Sequence, residues 1–371
     1  MIILTIIIFI LILGLLVFVH ELGHFVMAKR AGMEVEEFGF GFPPRLFGFK
    51  KGGTVYSLNW IPLGGFVKIV GEDGSDSDNP RSFGNKRFGS RFMVLVAGVT
   101  MNFILAWVLI SLGLGLGLPT VIGDPAELSD SAKVREVHVS VVEIASDSPA
   151  DQAGLRVGDS VLAINGEEID TLEETAILAK NNAGLETLYT IKRGGEEFDR
   201  TLIPREDHPE DEGPIGVTVS TVARVAYPWY ETLPRGLVAT FNLLLSILSA
   251  FGVIISRLFA GQGVGADLAG PVGIAVLTRD VAQLGFIYLV QFTAVLSVNL
   301  AIINAIPFPA LDGGRILFLI IEKVRGKKMR AKIEQVANTV GFVLLLLLMV
   351  LVTVKDFGRF DIIERVKNLF I

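Results

Sequence analysis

The pentapeptide His20-Glu21-Leu22-Gly23-His24 contains the residues of this sequence that are best suited to chemistry. Two histidines four positions apart on a helix point to the same face, so their imidazoles can hold one zinc ion together. Glu21 lies next to the first histidine, where a carboxylate can reach a metal-bound water. The motif therefore predicts a zinc site that activates water. The alternative is a group of interfacial polar residues that extend to a membrane surface.

A third metal ligand is needed, because a catalytic zinc usually has three protein ligands and one open position. The chain has no cysteine, so the ligand must come from His, Asp or Glu. Asp312 is the best candidate, because Pro307 and Pro309 interrupt an apolar segment just before it and let a carboxylate turn inward. Taken alone, this segment also fits a helix stop with a turn. His138 and His208 are expected to be ordinary surface residues.

Long uncharged segments indicate that these residues are positioned by membrane helices. Of 371 residues, 51% are hydrophobic and 19% are charged, and the net charge of −6 excludes a strongly basic chain, so no nucleic-acid partner is expected. A bilayer core of about 30 Å requires roughly 20 apolar residues in a helix. The uncharged runs of about this length are Ile2–Val19, Met93–Gly117, Gly236–Ser256, Phe286–Ile306 and Val336–Val354.

The charges between these runs predict the orientation, because loops rich in Lys and Arg near membrane ends tend to stay in the cytoplasm. Lys29–Arg91 carries 10 basic and 7 acidic residues, and Glu322–Glu334 carries 6 basic and 2 acidic residues, so both are expected in the cytoplasm. Leu118–Arg235 carries 10 basic and 23 acidic residues, a balance of −13, and is expected outside with the N-terminus. A cleaved signal peptide is the weaker interpretation of the first run, which lacks a basic start and a small-residue cleavage site.

This orientation allows only an odd number of crossings between the outer segment and the basic loop at Glu322, yet two uncharged runs lie between them. Phe286–Ile306 leads directly toward the basic loop, whereas Gly236–Ser256 is followed by a Gly-rich, partly polar stretch. We therefore predict that Gly236–Ser256 is an interfacial or re-entrant helix and that the chain crosses the membrane four times.

The outer segment contains short β-branched runs separated by turn signals, and one predicted helix near Leu172–Asn181. Its stretch Ser148–Asp159, followed by Ile164–Gly166, resembles the central signature of bacterial PDZ domains. Domains of that kind bind a chain terminus or an extended peptide by adding a strand at a sheet edge. We call residues 137–206 the PDZ-like domain. A β-rich spacer without a ligand is the alternative interpretation.

Taken together, these features resemble the site-2 protease family of intramembrane zinc metalloproteases, and most closely the bacterial branch of the regulator of sigma-E protease. The resemblance rests on the His20–His24 motif, on Asn304–Gly313, on the single PDZ-like insert, and on the segments Phe38–Pro43 and Gly64–Lys68. The two segments resemble that family's membrane-associated β elements on the cytoplasmic side. Some members carry two tandem PDZ domains, whereas this chain has room for one.

The resemblance implies roles for individual residues. His20, His24 and Asp312 are expected to bind Zn²⁺, and Glu21 is expected to act as general base and acid. The residues expected to contact the substrate backbone are Asn304, Asn299, Gly39, Gly41, Gly64 and Gly65.

The expected fold is a polytopic α-helical membrane protein of about four transmembrane helices, with an inserted small α/β PDZ-like domain and cytoplasmic-side membrane-associated β elements. The expected order is a first transmembrane helix (1–30), a cytoplasmic loop with β elements (31–91), a second transmembrane helix (92–118), a linker (119–136), the PDZ-like domain (137–206), an extracytoplasmic linker with the interfacial or re-entrant helix (207–285), a third transmembrane helix with the Asp-Gly-Gly motif (286–320), a basic cytoplasmic loop (321–335), and a fourth transmembrane helix with a tail (336–371).

The expected activity is hydrolysis of peptide bonds within transmembrane segments, in regulated intramembrane proteolysis. Expected substrates are single-pass membrane proteins, for example anti-sigma factors already cut by an upstream site-1 type protease, or remnant signal peptides. The expected location is the lipid bilayer of the bacterial inner (plasma) membrane, as a multi-pass protein with the N-terminus and the PDZ-like domain outside. A catalytically inactive, PDZ-bearing membrane adaptor remains the alternative, as does a cation transporter, although the sequence shows no internal repeat.

Overall fold

The computed structural model describes residues 2–72, 79–122, 131–145, 147–169, 171–209, 213–261 and 269–359. Part of the predicted linker (123–130), part of the Gly-rich stretch (262–268) and the tail from residue 360 lie outside these residues. The chain divides into two compact units. The first contains Met1–Ile110, Gly236–Arg279 and Phe292–Ile371, and the second contains Ser111–Arg235 and Asp280–Gln291.

The elements follow one another as helices, a β hairpin and a larger sheet. In chain order they are α1 (Ile2–Arg30), β1 (Val35–Lys51), β2 (Thr54–Ile69), a 3₁₀ turn (Phe83–Asn85), α2 (Phe88–Leu116), β3 (Leu118–Val121), β4 (Lys133–Ile144), α3 (Pro149–Gln152), β5 (Ser160–Ile164), β6 (Glu167–Glu168), α4 (Leu172–Asn181), β7 (Thr187–Arg193), β8 (Glu196–Leu202), β9 (Val217–Ala226), α5 (Trp229–Phe259), α6 (Pro271–Leu284), α7 (Phe286–Ala305), α8 (Asp312–Arg325) and α9 (Ala331–Arg359).

The apolar runs of the sequence all lie in helices. Within the described residues, five helices are long and apolar enough to cross a membrane, namely α1, α2, α5, α7 and α9. The run Gly236–Ser256 lies inside α5, which is continuous over 31 residues although it contains Pro234. Length and composition therefore allow α5 to span. The count of four crossings stays a prediction.

The predicted third transmembrane helix (286–320) is two helices in the structure. α7 ends at Ala305 and α8 begins at Asp312, with Pro307 and Pro309 in the connection. A proline removes a backbone donor and clashes with the preceding turn, so two prolines so close together prevent one continuous helix. The break makes Asp312 the first residue of a new helix.

β1 and β2 form a sheet of four segments, because the strands pair with each other more than once. Gly39 in the first half of β1 pairs with Phe66 on one side and with Ser57 on the other. The second half of β1 pairs with the first half of β2, for example Phe47 with Leu58. Among the described residues, the second half of β2 is therefore an edge of this sheet, and the first half of β1 is interior.

A buried apolar cluster ties this sheet to the helices of the first unit. It joins the end of α1, the outer ends of both strands, α2 and α8, and burying this surface stabilises their arrangement. Its members are Ala28, Met33, Val35, Ile69, Phe83, Val94, Leu95 and Leu319.

The second unit is built on a sheet with the strand order β3-β9-β4-β5-β7-β8, in which β6 also pairs with β5. The helix predicted near Leu172–Asn181 is α4, which begins with a capping box formed by Thr171 and Glu174. The sheet extends beyond the predicted boundaries of the PDZ-like domain, because β3 and β9 lie in segments that were predicted to be linkers. The alternating apolar residues of Val217–Ala226 give β9 one buried face.

Candidate metal centre

Two helices from distant parts of the sequence bring the predicted zinc ligands together. His20 Nε2 lies 3.0 Å from Asp312 Oδ2, and His24 Nε2 lies 3.1 Å from the same oxygen. The two Nε2 atoms are 3.1 Å apart. The side chains of His20, His24 and Asp312 expose 9%, 11% and 15% of their surface. Among the described residues, this trio is the group of His, Asp and Glu whose donor atoms could hold a metal ion.

The geometry of this trio fits a zinc ion. Zinc bonds of about 2.0–2.1 Å in a tetrahedral site place neighbouring donors roughly 3.3 Å apart, close to the separations observed here. Two neutral imidazoles and one carboxylate also match the ligand types of catalytic zinc sites, which keep a fourth position open. His24 Nδ1 lies 2.8 Å from the carbonyl oxygen of Val94, so it donates its proton there and leaves Nε2 free for a metal.

Small residues let α1 and α2 approach each other beside the histidines. A Cβ atom on Gly98 would lie 2.4 Å from His24 Nε2 and 2.7 Å from His20 Cε1. A Cβ atom on Gly23 would lie 2.4 Å from the carbonyl oxygen of Ala97. Both separations are far below van der Waals contact. Glycine at these two positions is therefore a condition for this helix pair and for the space around the metal donors.

The loop before Asp312 is fixed by α9. Ala310 has a φ angle of 76°, a left-handed conformation that residues with a side chain seldom adopt. Its backbone N–H donates to the Asn338 side-chain oxygen over 3.0 Å. A Cβ atom on Gly341 would lie 2.4 Å from the carbonyl oxygen of Pro309, so α9 packs directly against this loop. These contacts determine where Asp312 starts α8.

A cavity of about 180 Å³ lies beside the donors and contains the predicted general base. Glu21 and Asp312 line it from the helices, and Phe66 and Val67 line it from the edge segment of β2. Gly65, also in that segment, is so close to Glu21 that a Cβ atom there would lie 3.4 Å from Glu21 Cγ. The cavity therefore places a carboxylate, two of the candidate metal donors and the edge segment of β2 side by side.

A charged pair closes another side of the same cavity. Arg315, one turn after Asp312 on α8, donates to the carboxylate of Glu72, which follows β2. This contact ties the end of the hairpin to the helix that carries the third metal donor.

The residues predicted to contact the substrate lie on β1, β2 and α7. Gly64 and Gly65 belong to the edge segment of β2, whereas Gly39 and Gly41 belong to the interior part of β1. A Cβ atom on Gly39 would lie 2.5 Å from the Phe66 ring. Packing within the sheet therefore accounts for this glycine.

Asn299 and Asn304 lie half-buried on α7, and neither is among the described residues that line the cavity. His138 and His208 are partly exposed and do not belong to the donor trio, and their Nδ1 atoms lie 2.6 Å from the Glu136 carbonyl oxygen and 2.9 Å from the Pro209 carbonyl oxygen.

Three further groups beside these donors, all from α2, were not predicted from the sequence. They are Gly98, the carbonyl group of Val94, and Asn102, whose Nδ2 atom lies 3.3 Å from His20 Nδ1. Val94 contributes only a main-chain atom, and a glycine in an apolar helix carries no chemical signal. A buried asparagine in an uncharged run was the one available signal.

Comparison with known proteins identifies the family of this chain. The model for peptidase family M50 matches residues 8–348. The chain belongs to peptidase family M50. This membership confirms the predicted site-2 protease type of enzyme, and with the apolar helices it supports a multi-pass membrane protein.

Two relatives of the chain show how far the similarity extends. The zinc metalloprotease RasP of Geobacillus kaustophilus is 33% identical in an alignment that covers 96% of this chain and 98% of that protein. The regulator of sigma-W protease RasP of Bacillus subtilis is 31% identical in an alignment that covers 96% of this chain and 98% of that protein. The first name agrees with the predicted zinc cofactor.

Among solved structures, the PDZ domain of an SdrC-like protein from Listeria monocytogenes matches 24% of this chain and 92% of that domain, with 22% identity and a TM-score of 0.21.

Proposed function

We propose that this M50 peptidase hydrolyses peptide bonds within transmembrane segments, with zinc bound by His20, His24 and Asp312. The convergence of these three donors within 3.1 Å, beside Glu21 in one cavity, is the observation that carries the proposal. We further propose a bacterial plasma-membrane location, with the N-terminus and the PDZ-like domain outside. The basic loops and the acidic outer segment support this orientation.

The chain's own residues supply binding and proton transfer. A bound zinc ion would polarise the scissile carbonyl and acidify a water molecule. The Glu21 carboxylate takes a proton from the attacking water and holds it until the amine of the broken peptide bond leaves, when it returns that proton. The low exposure of the site keeps bulk water from the charges that develop during this exchange.

The substrate must also be unwound, because a helix in a bilayer pairs its own backbone groups and hides its carbonyls. The edge segment of β2 supports a route to unwinding, since an extended peptide can add to it as a new strand beside Glu21. Gly65 permits close backbone approach there. Gly64 remains a proposed contact, and packing also requires it to be small, because a Cβ atom there would lie 2.6 Å from the Phe42 ring. Gly39 and Gly41 lie in the interior strand segment next to this edge, so they would affect the substrate through the shape of the sheet. Asn299 and Asn304 on α7 remain proposed substrate contacts.

An apolar groove of about 500 Å³ between α2, α5 and α7 supports access for a membrane segment. Phe103, Phe241 and Leu248 are among its lining residues, and it continues to Ile306 in the loop before Asp312. A helix with apolar side chains fits such a surface without exposing polar groups to lipid.

The PDZ-like domain is proposed to inspect the outer part of the substrate. β9 pairs with β4 over most of its length, but β3 pairs only with Val222–Val225 of β9. The stretch Val217–Ser220 therefore has an edge that β3 does not occupy, and α4 packs against β9. Strand addition between β9 and α4 would favour a substrate already shortened by an upstream site-1 type protease.

The name of the Bacillus subtilis relative, a regulator of sigma-W protease, supports regulators of sigma factors as the substrate class. Single-pass anti-sigma factors fit that class, and remnant signal peptides share the same chemistry of an apolar segment with a free outer end. The catalytically inactive adaptor requires neither Glu21 nor Asp312, so the complete donor set disfavours it.

The test is cleavage of a single-pass model substrate by the purified, zinc-loaded protein in detergent micelles, with fragments identified by mass spectrometry. The wild type should cut within the apolar segment. Glu21→Gln should retain zinc and lose at least about 10²-fold in rate, the usual contribution of a positioned acid–base group. Equal cleavage by both proteins, or cleavage only outside the apolar segment, would refute the proposal. In cells, fragments that accumulate with Glu21→Gln would identify the substrate.

A further inference from the structure

Asn102 is a polar residue that the proposed mechanism does not yet use. It lies on α2 with no exposed surface, and its side-chain Nδ2 atom is 3.3 Å from His20 Nδ1. Its Oδ1 atom is buried and has no hydrogen-bond partner among the described residues. A buried amide next to a metal donor, with its oxygen unpaired, requires an explanation.

The protonation of His20 provides that explanation. Nε2 of His20 faces the other two donors, so it must carry a lone pair when a metal is bound, and the proton of the neutral ring then resides on Nδ1. An N–H group at Nδ1 would face the Asn102 NH₂ group, donor against donor. The oxygen and nitrogen of an amide have nearly the same shape, and their assignment follows from the hydrogen bonds they make.

We infer that the Asn102 side-chain oxygen accepts a hydrogen bond from His20 Nδ1, and that Asn102 is thereby a positioning residue for this zinc ligand. The inference rests on the proposed function. Turning the amide by half a rotation creates this bond, and it breaks none at Oδ1, which has no partner to lose. Asn102 then does for His20 what the Val94 carbonyl does for His24, so α2 orients both imidazoles.

The position of Asn102 is itself fixed. Its backbone carbonyl accepts a hydrogen bond of 2.8 Å from the Ser297 hydroxyl on α7. Ser297 is fully buried as well. The hydrogen bond from α7 therefore fixes the part of α2 that carries the Asn102 amide. A fixed position suits a group that must set the orientation of the His20 imidazole.

The experiment compares zinc binding by the full-length protein and its variants in competition with a chromogenic chelator. Loss of such a hydrogen-bond partner typically weakens metal binding 10- to 100-fold, so Asn102→Leu and Asn102→Ala should do so. Asn102→Asp offers an acceptor but no donor, and it should bind zinc at least as tightly as the wild type. Thr100→Val is the control, because the Thr100 hydroxyl donates to the Val96 carbonyl on the same helix.

A second readout separates positioning from general loosening of the fold. The cobalt-substituted Leu and Ala variants should show altered d–d absorption, whereas the Asp variant and Thr100→Val should keep the wild-type spectrum. Wild-type zinc affinity in both apolar variants, or an Asp variant as weak as they are, would overturn the inference. A wild type that binds no zinc would instead contradict the proposed function.

Discussion

Gly98 of α2 lies so close to His24 of α1 that a single methyl group could not be placed between them. A Cβ atom at position 98 would be 2.4 Å from His24 Nε2, the atom that faces the other metal donors. The proposed metal centre therefore depends on a residue without a side chain as much as on its proposed ligands. This relationship leads to the first prediction.

Gly98→Ala should abolish zinc binding and cleavage, because the added methyl group displaces the imidazoles of both His24 and His20. The matched control is Gly89→Ala on the same helix, where a Cβ atom would meet nothing within 4 Å. Alanine is also the better helix former by about 1 kcal/mol, so the control should fold at least as well. The measurement is the zinc content of both variants by atomic emission. A Gly98→Ala protein with its full content of zinc would contradict the crowding argument.

Asp312→Asn should lower zinc affinity by more than the roughly 10- to 100-fold expected for losing only a hydrogen-bond partner of a ligand. The amide is neutral and cannot replace the charge of a carboxylate ligand. The control is Asp356→Asn, because Asp356 is a buried carboxylate that accepts from the backbone N–H groups of Gly270 and Gly273. The amide keeps one of these two acceptor oxygens and removes no metal donor, so zinc affinity should be unchanged. Equal losses in both variants would count against Asp312 as a ligand.

Ala310→Gly should leave cleavage intact, whereas Ala310→Val should weaken both stability and zinc binding. A φ of 76° suits glycine, is tolerated by alanine, and is a severe outlier for a β-branched residue, with a cost of about 1–2 kcal/mol. The measurement is the unfolding midpoint in mixed micelles together with zinc affinity. Ala331→Val at the exposed start of α9 serves as the control, and indistinguishable Gly and Val variants at position 310 would refute the argument from backbone strain.

Gly65→Val should impair cleavage while zinc stays bound. A larger side chain there would push against the Gly39 carbonyl oxygen at 3.1 Å and Glu21 Cγ at 3.4 Å, and would obstruct the strand edge proposed for the substrate. Lys51→Ala, at the far and exposed end of the hairpin, should have no effect on cleavage. A Gly65→Val protein with normal cleavage would exclude substrate pairing at this edge.

Tyr189 makes the PDZ-like domain sensitive to high pH. The residue is fully buried, its hydroxyl group has no hydrogen-bond partner among the described residues, and burial raises its pKa. The unfolded chain releases this proton near pH 10, before the folded chain does, so stability is unaffected below that pH and falls above it.

Tyr189→Phe removes both the unpaired hydroxyl and this titration. The variant should be as stable as the wild type or more stable by about 1 kcal/mol at neutral pH. It should also lose stability less steeply above pH 10, as measured by chemical unfolding at several pH values. Tyr230→Phe changes an exposed ring and should behave as the wild type, and identical alkaline profiles for Tyr189→Phe and the wild type would contradict the account.

The residues proposed to perform chemistry could be identified from the sequence, and the residues that make room for them or orient them could not. Ionisable side chains are costly to bury at the end of an apolar run, so His20, Glu21 and His24 stood out in the sequence. Asp312 stood out because it follows two prolines that stop a helix. The convergence of these residues depends on contacts 288 positions apart, which only the fold reveals.

In the secondary structure, too, local features could be predicted from the sequence, and features that depend on the fold could not. The apolar runs predicted helices well, because length and uniform hydrophobicity are local properties. The double pairing of β1 depends on the strand register, so the sequence could not show that Gly39 is interior and Gly65 lies at an edge. β9 was overlooked because it follows an acidic stretch, although its alternation of apolar residues was a usable signal.

The most direct test of the central claim is a zinc titration of the metal-free, full-length protein, followed by the rate of cleavage within the apolar segment of a single-pass substrate. The account predicts no cleavage without metal, and a rate that rises linearly and levels off at one zinc ion per chain. Cleavage at the full rate by the metal-free protein, or a saturated site without any cleavage, would contradict it.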